Sequence, residues 1–208
     1  MSRGIFSPDN PLMITMSQIT DCIFLSLFWM LGCIPVVTIG VSAAALYDAV
    51  YHGFHRGDKH NWQRFLSSFR QNLKPGIVPT VVFLAVSLSL GKVLISLWNS
   101  AVAGALSWMV FSGAAFAGVL LFGILSLMFP VLSRFENSFA GLVKNTFFLS
   151  MANLPRTLII GIINGLSVVL CALYVFPLFF LPALSALICS VFIEPMFKPY
   201  MPEEKDAA

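Results

Sequence analysis

Four ionisable side chains, Asp21, Asp48, Lys92 and Glu194, fall within or at the ends of long apolar runs. An ionisable group at membrane depth is costly unless paired or wetted, so each is a candidate for a proton or substrate path. Asp48 is the best placed, because it shares a segment rich in small residues with Thr38, Ser42 and Tyr47. Thr38, Asp48 and Asn164 make up the candidate intramembrane polar site. The competing reading leaves Asp21, Asp48 and Glu194 hydrated at helix ends. His52, His55 and His60 could bring two imidazoles together, but no Cys or neighbouring acidic pair completes a coordination sphere. A solvated loop or a contact with anionic headgroups suits them better. No Ser or Cys has a plausibly placed His, and the chain lacks GxxxxGK[ST], HExxH and paired carboxylates within one apolar segment. These residues therefore point to no reaction, no metal and no cofactor. Cys22, Cys33, Cys171 and Cys189 lack CxxC spacing and read as small buried hydrophobes kept reduced.

The elements that must position these residues are set by the solvent. The chain is 58% hydrophobic and 10% charged, whereas soluble proteins carry about a quarter charged residues. Lipid cannot satisfy backbone polar groups, so lipid-exposed segments must be helices or a closed barrel, and long uninterrupted apolar runs select helices. The expectation is one all-α, polytopic transmembrane bundle of six segments in three hairpins: 13–34, 36–51, 79–97, 105–132, 157–176 and 183–197. Gly32-Cys33-Ile34-Pro35 marks the turn into the second segment. That segment, with Gly40, Ser42, Ala43, Ala44 and Ala45, reads as a closely packed internal helix. It is short for a crossing, so a re-entrant or buried alternative stays open.

Two amphipathic helices are expected between spans, at 61–73 and 138–152. In the first, Trp62, Phe65, Leu66, Phe69 and Leu73 form an apolar stripe beside Arg64 and Arg70, and Pro75 ends the helix. In the second, Phe139, Leu142, Val143, Phe147 and Met151 form the stripe, with Lys144 off it. Such helices suit the headgroup plane. Asn72-Leu73-Lys74-Pro75 and Asn153-Leu154-Pro155 close them in the same way, which suggests an internal repeat. The positive-inside rule places both basic loops, and with them the C-terminus, in the cytoplasm. Arg64, Arg70, Lys74, Arg134, Glu136, Lys144 and Arg156 are the candidate contacts for anionic lipid headgroups or a protein partner. A net charge of +3 is too small to argue for nucleic acid.

Four stretches resemble the YesL-like family of bacterial integral membrane proteins, a family of unknown function. They are Asn10-Pro11-Leu12; Ile34-Pro35-Val36-Val37-Thr38-Ile39-Gly40 leading into Ala45-Leu46-Tyr47; Phe65 to Asn72; and Arg134-Phe135-Glu136-Asn137 followed by Asn153-Leu154-Pro155. The resemblance implies a multi-pass protein of the bacterial cytoplasmic membrane, whose relatives are often encoded beside carbohydrate ABC uptake systems and their sensor kinases. It transfers no catalytic residues. Glu136, Gly141 and Leu154-Pro155 are also similar to the coupling loop by which ABC importer permeases dock on their ATPase, although Asn137 and Ser138 replace its two alanines.

The leading expectation is a non-enzymatic accessory or transport component for carbohydrate uptake, in contact with ABC transporter or sensor-kinase subunits. An autonomous small-solute transporter or channel is the alternative, with a membrane-embedded enzyme third.

Overall fold

A computed structural model describes residues 11–55, 61–104, 107–135 and 138–200, with the backbone alone for 11–19 and 55. Among them are seven α-helices: α1 (Pro11–Gly32), α2 (Ile39–His55), α3 (Asn61–Val102), α4 (Trp108–Arg134), α5 (Phe139–Ala152), α6 (Leu154–Leu173) and α7 (Leu181–Phe197). Short 3-10 turns, Val36–Thr38 and Phe176–Phe179, precede α2 and α7. The described residues contain no strand.

Three helices, α3, α4 and α6, are long and apolar enough to cross a membrane, not the six expected. Length is the physical reason for α2 and α7: at 17 residues each rises about 25 Å, short of a hydrocarbon core of ~30 Å. The 22 residues of α1 are a membrane crossing in length, and Thr20–Gly32 is the apolar part among its residues with described side chains.

The largest departure is at Pro75. It does not end a helix: α3 runs through Pro75 and Pro79 for 42 residues, about 63 Å along its path. Each proline removes a backbone donor, which side chains and neighbouring helices must offset. Side chains flanking the gap turn back onto the helix: the Asn72 amide donates to the Ser68 carbonyl (2.9 Å), and the Thr80 hydroxyl to the Gly76 carbonyl (2.6 Å). Packing then holds the segment straight enough to continue. A Cβ on Gly76 would press on Val41, and one on Gly40 would overlap Thr80 and the Phe129 ring.

Contacts at 40/80, 41/76, 48/64 and 53/61 show α2 running antiparallel along the first half of α3. This half does not lie with its apolar stripe on lipid, as an interfacial helix would. Phe65 is buried against α1 and α2, with its ring 6.0 Å from Phe28, while Trp62 of the same stripe is exposed. The second half of α3 meets α4 instead, through Phe83–Phe122 and Leu90 and Leu94 against Gly118. Gly104, in the left-handed region at φ 74°, turns the chain between them, and Ser107 caps α4 by accepting from Met109 N.

The small-residue helix is as internal as expected. Val41, Ser42, Ala44, Ala45, Ala49 and Val50 have no or almost no exposed surface. A second close approach joins α4 to α6. A Cβ on Gly123 would overlap the Thr157 carbonyl, and one on Gly161 the Val119 carbonyl. Here small residues admit backbone against backbone.

The second amphipathic helix matches its expected bounds closely, opening on Ser138, whose hydroxyl accepts from Gly141 N. Its expected stripe is split: Leu142 is buried with Thr146 and Leu149, while Phe139, Val143, Phe147 and Met151 are exposed. The two Asn-Leu-(x)-Pro motifs also part company. Asn153 breaks α5 from α6, with Pro155 in the tolerant first turn of α6, whereas Asn72–Pro75 lies inside α3.

Candidate functional site

The end of α2 carries Tyr47, Asp48, Tyr51 and His52, an i, i+1, i+4, i+5 set that presents two adjacent stripes. One stripe faces α3. Asp48 Oδ2 accepts from Arg64 Nε at 2.9 Å, and its Oδ1 lies 3.2 Å from His52 Nδ1. Arg64 Nη2 reaches His52 Nε2 at 3.0 Å. A guanidinium only donates, so Nε2 must accept and the ring proton sits on Nδ1, facing the Asp48 carboxylate and backbone carbonyl. Arg64 thus grips the carboxylate and the neutral imidazole together.

The other stripe faces α4 and α7. Glu194 Oε1 accepts from the Tyr47 hydroxyl at 2.8 Å and from Arg134 Nη2 at 2.9 Å. The Arg134 guanidinium also lies over the Tyr51 ring, 3.9 Å from its centroid. Arg134 Nε has no hydrogen-bond acceptor among the described residues, and the ring face supplies part of the missing electrostatic stabilisation. The Tyr51 and His52 rings meet edge to face at 5.3 Å, so the stripes touch.

Two acids and two arginines balance in charge, and the Asp48 and Arg134 side chains are only 8% and 10% exposed. Pairing of this kind is how ionised groups persist away from water. The arrangement ties four helices at one end of the bundle.

The expected site residues therefore divide. Arg64 and Arg134, read as lipid or partner contacts, each pair with an acid of the protein, the Arg64 side chain staying 43% exposed and that of Arg134 10%. Arg70, Lys74 and Lys144 are exposed. Arg156 is half-buried, with Nη1 3.4 Å from Asn153 Oδ1. Glu136 lies outside the described residues, as do Asn137 and His60, and nothing is described of the His55 side chain. Thr38, Asp48 and Asn164 do not share partners. The Thr38 hydroxyl bonds the Gly32 and Pro35 carbonyls and closes the turn into α2. Asn164 donates to Ser126 Oγ at 2.9 Å, on α4. Of the other ionisable groups, Lys92 is exposed, and Asp21 accepts from Asn61 Nδ2 at 3.1 Å.

Sequence reasoning singled out Asp48 and Glu194 but missed their partners. Arg134 stands 60 positions from Glu194 and Tyr47 stands 147, and nothing local pairs them. The 47/51 and 48/52 spacing on one apolar helix was the available signal.

Residues 22–91 match a family model described as "Protein of unknown function, DUF624". That match is compatible with the YesL-like resemblance. It covers α2 and the first half of α3, so it includes Asp48, His52 and Arg64, while Arg134 and Glu194 lie beyond it. No curated protein and no solved structure matches the chain.

Proposed function

We propose that this protein is a non-enzymatic, transport-associated component of the bacterial cytoplasmic membrane, serving carbohydrate uptake through an ABC system or its sensor kinase. In this reading the Arg64 and Arg134 networks lie at the cytoplasmic end, as the basic segments around them favour. The observation that carries it is the continuity of α3. One half is exposed and apolar, with Val81, Leu88, Val93 and Ile95 outward, while the other is clamped to α2 and presents Arg70 and Lys74. A continuous helix joins the two halves directly, so a partner that grips the polar half acts on the membrane half through Pro75 and Pro79. The exposed aromatics of α5, Phe147 and Phe148 beside Lys144, suit the inner-leaflet boundary next to that partner. The balanced, mutually bonded charges support a structural role for the acids.

The test is photocrosslinking in living cells from positions 70, 74 and 147. Recovery of an ABC transporter or sensor-kinase subunit at 70 or 74 is expected, with lipid adducts dominating at 147. Lipid alone at all three positions sinks the partner role. Reconstituted solute flux abolished by Asp48→Asn would replace it with an autonomous transporter.

A further inference from the structure

Helices α1, α2, α3, α4, α6 and α7 enclose a cavity of about 210 Å3. It exceeds the apolar voids of about 150 Å3 that stay dry in proteins and take up benzene. Its walls are mostly hydrocarbon and aromatic, with Trp29, Ala43, Phe83 and Phe129 among them. Val168 lines the cavity and is also 59% exposed on the outer face of α6. The mouth therefore opens beside Val168, on the flank of a helix able to cross a membrane. What reaches such a mouth is lipid.

Five polar side chains line the cavity, Tyr47, Ser126, Asn164, Ser167 and Ser185, of which Tyr47, Ser167 and Ser185 give their hydroxyl protons to Glu194 and to the Ile163 and Pro182 carbonyls. Asn164 gives an amide hydrogen to Ser126, and among the described residues its oxygen meets only the Cys189 thiol, at a long 3.9 Å. Its second amide hydrogen and most of the acceptor capacity of its oxygen are left for a guest. We propose that this cavity binds the apolar chain of a membrane amphiphile and that Asn164 anchors a hydroxyl or carbonyl on that chain. A sugar or an ion would have to leave most of its hydrogen bonds unmade against these walls. The proposal rests on membrane residence and not on the partner role, so the crosslinking result leaves it untouched.

Trp29 in the wall is the reporter. The full chain with Trp62, Trp98 and Trp108 changed to Phe is placed in nanodiscs of one phosphatidylcholine. One arm adds a brominated long-chain alcohol, and the other uses phosphatidylcholine brominated on its acyl chains. Saturable quenching by the alcohol is expected, with displacement by unbrominated dodecanol. Ala43→Phe, which fills the cavity, removes the saturable part. Asn164→Leu weakens the alcohol about fivefold, which is ~1 kcal/mol for one hydrogen bond. Quenching by brominated phospholipid that dodecanol relieves makes the bilayer the source of the chain; quenching by the alcohol alone makes it a free amphiphile. Strictly linear quenching that dodecanol does not relieve overturns the site, and that competition needs no cavity substitution to be read.

Discussion

The two halves of α3 share one helix and almost nothing else. Residues 61–80 lie against α2 and are held by Arg64, by buried Ser68 and Asn72, and by glycine contacts with Val41 and Gly40. Residues 81–102 meet mainly α4, expose most of their side chains and end in an aromatic cluster of Trp98, Trp108 and Phe111, with ring centroids 5.4–6.0 Å apart. The first half is specified by protein, through paired charges and close backbone approach. The second is specified by its solvent, since only a lipid environment makes that much exposed hydrocarbon stable. Glycines report the same contrast: Gly40 and Gly76 touch neighbours, whereas Gly91 and Gly113 have nothing within 4 Å.

Substitutions can break or sharpen this contrast, read as unfolding free energies in detergent micelles. The largest loss is expected at the clamp. Glu194→Ala leaves Arg134 buried without its carboxylate and costs about 3 kcal/mol. Arg134→Met combined with Glu194→Leu and Tyr47→Phe should recover most of that, because an apolar set leaves neither an orphaned charge nor an orphaned hydroxyl. Equal losses in the single and triple variants would show that the pair is not what holds α4 to α7. Next comes the helix crossing. Gly161→Ala forces a methyl onto the Val119 carbonyl and should cost about 2 kcal/mol. The same change at Gly113, in the exposed hairpin, should be neutral or stabilising by up to about 1 kcal/mol.

Arg64→Lys should cost about 1 kcal/mol, since a lysine cannot grip Asp48 and His52 at once. A His52→Ala background should shrink that cost in a double-mutant cycle, and an unchanged cost would remove His52 from the network. The smallest effect belongs to the hairpin tip, where Trp98→Ala should cost about 0.5 kcal/mol. A tip loss as large as that of Glu194→Ala would erase the distinction between the two halves.

The α2 and α5 regions were legible because their signals are local: small residues at close spacing in one, and an apolar period in the other that located the helix though not its buried face. The end of the first amphipathic helix was misread because proline is a strong local stop that packing can override. The packing of Gly76 against Val41 and of Gly40 against Thr80 is what overrides it. At the same motif in the second half, Asn153 begins a new helix, so matching letters did not secure matching structure.

Composition alone determined that the chain is helical and suited to lipid, since hydrocarbon that dense leaves the backbone no other way to bond itself. It also singled out α2 as internal, because only small residues allow neighbours so near. The tertiary structure decided which cations an acid of the protein engages. Arg64 and Arg134 have the same chemistry as Arg70 and Lys74 in the sequence. Only the approach of α2 and α7, carrying Asp48 and Glu194 from distant positions, separates them, and no local pattern encodes a partner 60 residues away.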